Sequence, residues 1–190
     1  MRYLALPLLL VCAVPSIASA QALQDQVLAH GVTEEVVLFD YPTLPLDAMT
    51  TAAGAVVHVA VRSSDTFLSP DGASILTDYR VAVVEIAKDA SGSGIKPGDV
   101  VTVRRVGGTM TVAGRRVFSN ESGFPPFSNG AEYVLFLNTR SGQPYQMVAG
   151  AASAFRVERG TIAPVAESHP RSAALLTPIF LHEIRASLQR

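Results

Sequence analysis

From Ala55 onward the hydrophobic positions recur at every second residue. Val57, Val59 and Val61 alternate with His58, Ala60 and Arg62, and Tyr79, Val81 and Val83 share one face of residues 77–87. Such alternation predicts half-buried strands, with His58 on an outer face. Between the two runs, Ser69-Pro70-Asp71-Gly72 is a turn in which proline pre-sets one torsion and glycine supplies a positive one. Residues 100–106 form a further strand, and Gly107-Gly108 reads as a two-residue hairpin turn into residues 109–112. Ala113-Gly114 turns the chain again into residues 115–118. Tyr133 to Asn138 is the most hydrophobic run and is expected at the centre of a sheet; residues 145–149, 155–157 and a short strand near Ile162 follow.

Ahead of Ala55 the pattern is weaker. Residues 21–31 read as a short helix stopped by Gly31, and residues 36–39 as a strand or a buried turn of helix, between which periodicity does not decide. Residues 46–53 read as a helix closed by Gly54. At the other end, Thr177 is placed to cap a helix, Pro178 fits its first position, and Phe180, Ile184 and Leu188 recur at four-residue spacing. About seven short strands, with turns every eight to twelve residues, predict a barrel or a sandwich. No repeat or second domain is visible.

The first twenty residues have another logic. Arg2, the apolar run Leu4–Val14 and the small residues of Ala18-Ser19-Ala20 read as a secretory signal peptide cleaved after Ala20. The run is too short to span a bilayer, and no later segment is long enough to do so. The expected organisation is therefore a signal peptide over 1–20, an extension with short helices over 21–54, a β-barrel domain over 55–163, and a linker with a C-terminal helix over 164–190. Cys12, the single cysteine of the 190 residues, leaves with the signal. Thiol nucleophiles, thiolate metal ligands and disulfides are thereby excluded from the mature chain. A 48% hydrophobic and 16% charged composition is too apolar for a disordered chain, and a net charge of −1 argues against nucleic acid as a partner.

A succession of strand motifs carries a family resemblance. Val56-Val57-x-Val59-x-Val61, Thr77-x-Tyr79-x-Val81-x-Val83, Gly98-Asp99-x-Val101-x-Val103, Gly107-Gly108 and Gly130-x-Glu132-Tyr133-Val134-Leu135-Phe136-Leu137 follow in order. The succession resembles small secreted bacterial β-barrel proteins and, more distantly, the netrin-like domain of metalloproteinase inhibitors. That resemblance implies a mainly β fold, an OB-like five-stranded barrel with additional short strands, a short N-terminal helix and a C-terminal helix. Those inhibitors act through a disulfide-tied N-terminal cysteine that this chain lacks, so their activity does not carry over.

No motif assigns an activity. His30, His58, His169 and His182 sit at no spacing that pairs them as metal ligands. A nucleophile elbow, a phosphate loop and a dinucleotide fingerprint are all missing. Asp65 and Asp71-Gly72 lack the alternating acidic ligands of a calcium loop. Catalytic residues, metals and cofactors are accordingly expected to be none.

Two constellations remain as candidate ligand- or partner-binding sites. If both glycine turns are hairpins, Arg104 faces Thr111 and Thr111 faces Arg116, which makes a basic strip for an anionic ligand or an acidic protein. Phe124-Pro125-Pro126-Phe127 forms a stiff loop before the central strand, with Phe127 expected as a core plug and Phe124 as the more exposed ring. The resulting expectation is a secreted or periplasmic, non-catalytic binding module. The alternatives are a hydrolase-type enzyme whose site joins His58, Asp78 and Glu85, and a self-associating envelope protein.

Overall fold

The computed structural model describes residues 23–31, 34–38, 44–89, 93–140, 142–166 and 175–188. The segment expected to be a signal peptide, its expected cleavage site and His169 lie outside the described residues. In chain order the elements are α1 (Leu23–His30), β1 (Glu34–Val37), α2 (Leu46–Ala52), β2 (Ala55–Leu68), β3 (Ile75–Asp89), β4 (Val100–Val106), β5 (Gly108–Val112) and β6 (Arg115–Glu121). These are followed by β7 (Glu132–Asn138), β8 (Gln146–Met147), a 3-10 turn (Gly150–Ser153), β9 (Ala154–Glu158), β10 (Thr161–Pro164), β11 (Leu175–Leu176) and α3 (Thr177–Ser187). The fold is mainly β, as expected.

Most strands join one long sheet of order β11-β10-β9-β7-β2-β3-β4, with β8 paired to β7. A second sheet has the order β1-β6-β5. Neither sheet closes into a barrel: in the described residues β4 and β11 end the first, and β1 and β5 end the second. The hydrophobic run of β7 sits in the middle of the long sheet, and residues Tyr133 to Leu137 are all buried.

β2 departs from simple half-burial, because Ala55 to Val59 are buried without a break. A strand reads this way only when both faces of its sheet are covered. On one face Val57, Val59 and Val61 pack with Val81, Val101, Val103, Leu135 and the loop rings Phe124 and Phe127. On the other, Val56 packs with Met49 of α2, Phe136, Phe155, and Phe180 and Ile184 of α3. His58 lies on this covered face and is only 9% exposed, so it is not an outer-face residue. Leu188, the last residue of the expected α3 stripe, is exposed.

The β2–β3 hairpin carries register shifts between Val56 and Val57, His58 and Val59, and Val61 and Ser63. Extra residues of this kind bend and twist a strand pair. The bent far end of the hairpin supplies Ile75 to a third cluster, formed with Leu23 and Val27 of α1 and with Val112 and Val117 of the small sheet. The first described elements are thus built into the domain: α1 underlies the small sheet, and β1 joins it parallel to β6.

Gly107-Gly108 is not a hairpin turn. β4 pairs with β3 and β5 pairs with β6, so the chain crosses here from one sheet to the other. A side chain at Gly108 would put its Cβ 2.4 Å from Thr77 Oγ1 and 2.7 Å from Thr66 Cγ2, and the φ of +145° also favours glycine. The Thr77 hydroxyl donates to the Gly107 carbonyl at 2.5 Å, fixing the crossing. Ala113-Gly114 does make the expected turn, with both residues at positive φ, 48° and 78°.

Two helix ends also differ from expectation. Gly54 serves close approach rather than a left-handed cap, since a Cβ there would lie 2.0 Å from Thr139 Oγ1. The end of α2 is held instead by Lys88 of β3, whose ammonium donates to the carbonyls of Thr50 (2.6 Å), Thr51 (3.2 Å) and Ala53 (2.7 Å). Thr177 does not cap α3; its hydroxyl donates to the Gly160 carbonyl at 3.1 Å and ties the helix to the β9–β10 turn.

Candidate functional site

β4 sets the geometry of the site. Its inward positions are Val101 and Val103, and the next position of that alternation is Arg105. Only 5% of Arg105 is exposed. Its Nη1 donates to the Pro125 carbonyl and its Nη2 to the Phe124 carbonyl, each at 2.8 Å. The guanidinium carbon lies 3.2 Å from the centroid of the Phe124 ring and 4.7 Å from that of Phe127. A planar, weakly hydrated guanidinium suits this stacked, forked position.

Glu121, the last residue of β6, supplies the buried counter-charge. Its Oε2 stands 4.0 Å from Arg105 Nη2, and its Oε1 is buried with no hydrogen-bond partner. Burial pushes the Glu121 carboxyl above the usual carboxylate range, while the nearby Arg105 charge pulls it back. Burial likewise pushes the Tyr79 hydroxyl up, again opposed by Arg105.

Arg104 has the other orientation on β4. It lies opposite Asp78 of β3 and grips that carboxylate with two hydrogen bonds, Nε to Oδ1 at 2.7 Å and Nη2 to Oδ2 at 2.8 Å. The ion pair raises the already high Arg104 pKa. Between Arg104, Arg105 and Glu121, where the two sheets meet, is a cavity of about 390 Å³ whose apolar walls include Leu76, Val106 and Met147. This seam cavity unites buried charge, partly exposed charge and apolar surface.

The predicted site residues are divided by the structure. Thr111 does oppose Arg116 across the β5–β6 turn, and both are exposed. Arg104 is on the other sheet, opposite Asp78 instead of Thr111, so the three do not form one strip; the Gly107-Gly108 crossing is the reason. Phe124 is fully buried at 0% and Phe127 is buried at 5%, which corrects the expectation that Phe124 is the more exposed ring. Phe127 packs against Phe124, Tyr79 and Tyr133 at centroid distances of 5.6, 5.0 and 4.5 Å. The loop turns its prolines outward, where Pro125 and Pro126 line a second groove of about 470 Å³ with Tyr133 and Arg156.

His58, Asp78 and Glu85 do not converge. His58 Nε2 lies 2.9 Å from Glu132 Oε2, Asp78 holds Arg104, and Glu85 accepts from Arg185. Among the described residues no group of three or more His, Cys, Asp or Glu side chains could hold a metal ion. None of the described helices is long and apolar enough to cross a membrane.

Arg105 and Glu121 were missed in the sequence, although one signal for Arg105 is there: two residues past Val103, it falls on the inward face of its strand. Glu121 gives a similar but weaker one: four residues past Val117, it falls on the buried alternation of β6, after the small polar Ser119. No protein-family model and no curated protein matches this chain.

Proposed function

We propose that the chain is a non-catalytic binding module, exported to the periplasm or beyond by its first twenty residues, and that its ligand enters the seam cavity. One observation carries the reading: Arg104, Arg105 and Glu121 line, together with the apolar residues Leu76, Val106 and Met147, one space of about 390 Å³. Natural binding sites combine a few convergent polar groups with apolar walls in this way, at about 300–1,000 Å³. Kinship with small secreted OB-type domains belongs to the same proposal. An OB-type barrel is itself only partly closed, and the seam between β4 and the small sheet is where this one would stand open.

Ligand-dependent melting tests the reading, since a ligand that binds only the folded state raises its apparent stability. Small carboxylates, amines, zwitterions and polyols are screened against the exported chain and against Met147→Trp, which fills the cavity. The expected result is a saturable rise in Tm with one chemical class, lost in Met147→Trp. No rise with any class, in a chain shown to be folded, overturns the reading.

A self-associating protein is favoured by a separate observation: Val36 and Leu38 are 56% and 79% exposed at β1, an edge of the small sheet. Sedimentation over a range of concentrations decides it, with a monomer throughout excluding self-association.

A further inference from the structure

The groove beside the Phe124–Phe127 loop shares no lining residue with the seam cavity, and its own walls point to a ligand chemistry. Arg156 of β9 and Ala163 of β10 are direct partners in register, so their side chains leave one face of the sheet side by side. Glu158, two residues after Arg156, is on the same face. Pro125 and Pro126 of the loop line the same space of about 470 Å³. All five residues are exposed, and 48% of the Arg156 side chain is accessible, so the walls are open to an incoming molecule.

The groove is held in shape without a ligand. Arg105 fixes the Phe124 and Pro125 carbonyls at 2.8 Å, and the two phenylalanine rings anchor the loop in the main core. The Ser128 amide donates to the Tyr133 hydroxyl at 3.1 Å. A wall fixed in this way loses little freedom on binding.

Charge and shape narrow the choice of ligand. Arg156 Nε lies 2.8 Å from Glu158 Oε1, and no other lining residue is charged, so the groove is formally neutral. An anion would be set against Glu158 and a cation against Arg156, whereas a neutral molecule leaves the pair intact. An arginine plane is weakly hydrated and stacks on aromatic faces. This chain uses that contact twice: the guanidinium carbon of Arg105 lies 3.2 Å from the Phe124 ring centroid, and that of Arg104 lies 5.0 Å from the Phe67 centroid. Among the described residues no ring lies over Arg156. The pyrrolidine rings of Pro125 and Pro126 are rigid, apolar and without N–H groups, which suits a flat hydrocarbon surface.

We propose that this groove binds a small neutral aromatic molecule, its ring stacked on the Arg156 guanidinium and packed against Pro125 and Pro126. Such a site is additional to the seam cavity.

Calorimetric titration of the full exported chain with 3-methylindole tests this, alongside its charged analogues indole-3-acetate and tryptamine. 3-Methylindole is expected to bind saturably and roughly tenfold more tightly than either analogue. Benzyl alcohol should displace it, and the saturated cyclohexylmethanol should not. Arg156→Leu, which keeps the groove apolar but removes the guanidinium, should weaken binding about fivefold, the size of an exposed cation–π contact. Ala163→Phe, which sets a ring of the chain's own beside Arg156, should abolish it. Met147→Trp, which fills the seam cavity, should leave it unchanged. Circular dichroism establishes that each variant is folded.

No saturable binding of 3-methylindole, equal displacement by cyclohexylmethanol, or an unchanged affinity in folded Arg156→Leu overturns the assignment. Binding of the capped peptide acetyl-Gly-Trp-Gly-amide without binding of 3-methylindole also overturns it, and makes the groove a docking site for an aromatic side chain of another protein. Binding lost in Met147→Trp but kept in Ala163→Phe moves the ring to the seam cavity, which overturns the groove assignment and supports the binding-module reading.

Discussion

At Arg105 the chain sets a permanent charge beneath two phenylalanine rings, and three kinds of group offset its desolvation: two carbonyl oxygens, the ring faces and the Glu121 carboxylate. Removing one partner of a buried charge pair leaves the other uncompensated, which costs about 3–5 kcal/mol. Arg105→Met is expected to lose stability on that scale in urea melts. Combining it with Glu121→Gln should cost measurably less than the two single losses added together, because contacting residues couple. Strict additivity would show that the 4.0 Å pair contributes nothing.

Glu121 also predicts a pH dependence. Its carboxyl titrates higher in the folded chain than in the unfolded one, so between those two values the folded state binds the extra proton. Stability then falls as pH rises through that window, and the contribution is complete only below the unfolded value. Tm measured upward from about pH 4, near the ordinary carboxyl value, should decline more steeply in the wild type than in Glu121→Gln. Identical slopes would remove Glu121 from the account.

At the scale of elements, the Phe124–Phe127 loop behaves as a plug with a wet outer surface. Both rings are buried in the main core and touch each other at 5.6 Å. Truncating a buried phenylalanine costs about 3–5 kcal/mol. Phe124→Ala and Phe127→Ala should therefore both be strongly destabilising in denaturant melts. A loss of about 1 kcal/mol at Phe124, the size usual for a surface change, would contradict its burial.

The contrast among elements explains what the sequence could and could not tell. The alternation in β2, β3 and β4 depends on local spacing, and each strand formed where the pattern placed it. The Ala113-Gly114 turn was equally legible, because its torsions are its own. Gly107-Gly108 carried the same local signal but obeys a different constraint, the approach of Thr66 and Thr77 from a distant hairpin. One misread crossing then moved Arg104 from a supposed basic strip to a cavity wall. Likewise α2 is closed by Lys88, 35 residues after Ala53, which no local cap signal could announce.

At the scale of the whole molecule, two sheets share the β2–β3 hairpin unequally. β2 and β7 lie at the middle of the long sheet with apolar side chains covered on both faces. The small sheet is held to the hairpin through a much smaller cluster, in which Ile75 of β3 meets Val112, Val117, Leu23 and Val27. Protection against hydrogen exchange follows local packing, and poorly anchored units open below the global unfolding free energy. Amides of β2 and β7 should exchange only on global unfolding, and those of β5 and β6 through an earlier opening. Ile75→Ala removes the hairpin's residue from the small cluster while leaving the main core intact. Native-state exchange followed by mass spectrometry should then show protection lost in β5 and β6 well before β7. Because Glu121 stands at the end of β6 and Arg104 on β4, the same opening separates the two charged walls of the seam cavity. If protection instead falls uniformly across both sheets in Ile75→Ala, the molecule is a single cooperative unit and the seam is no hinge.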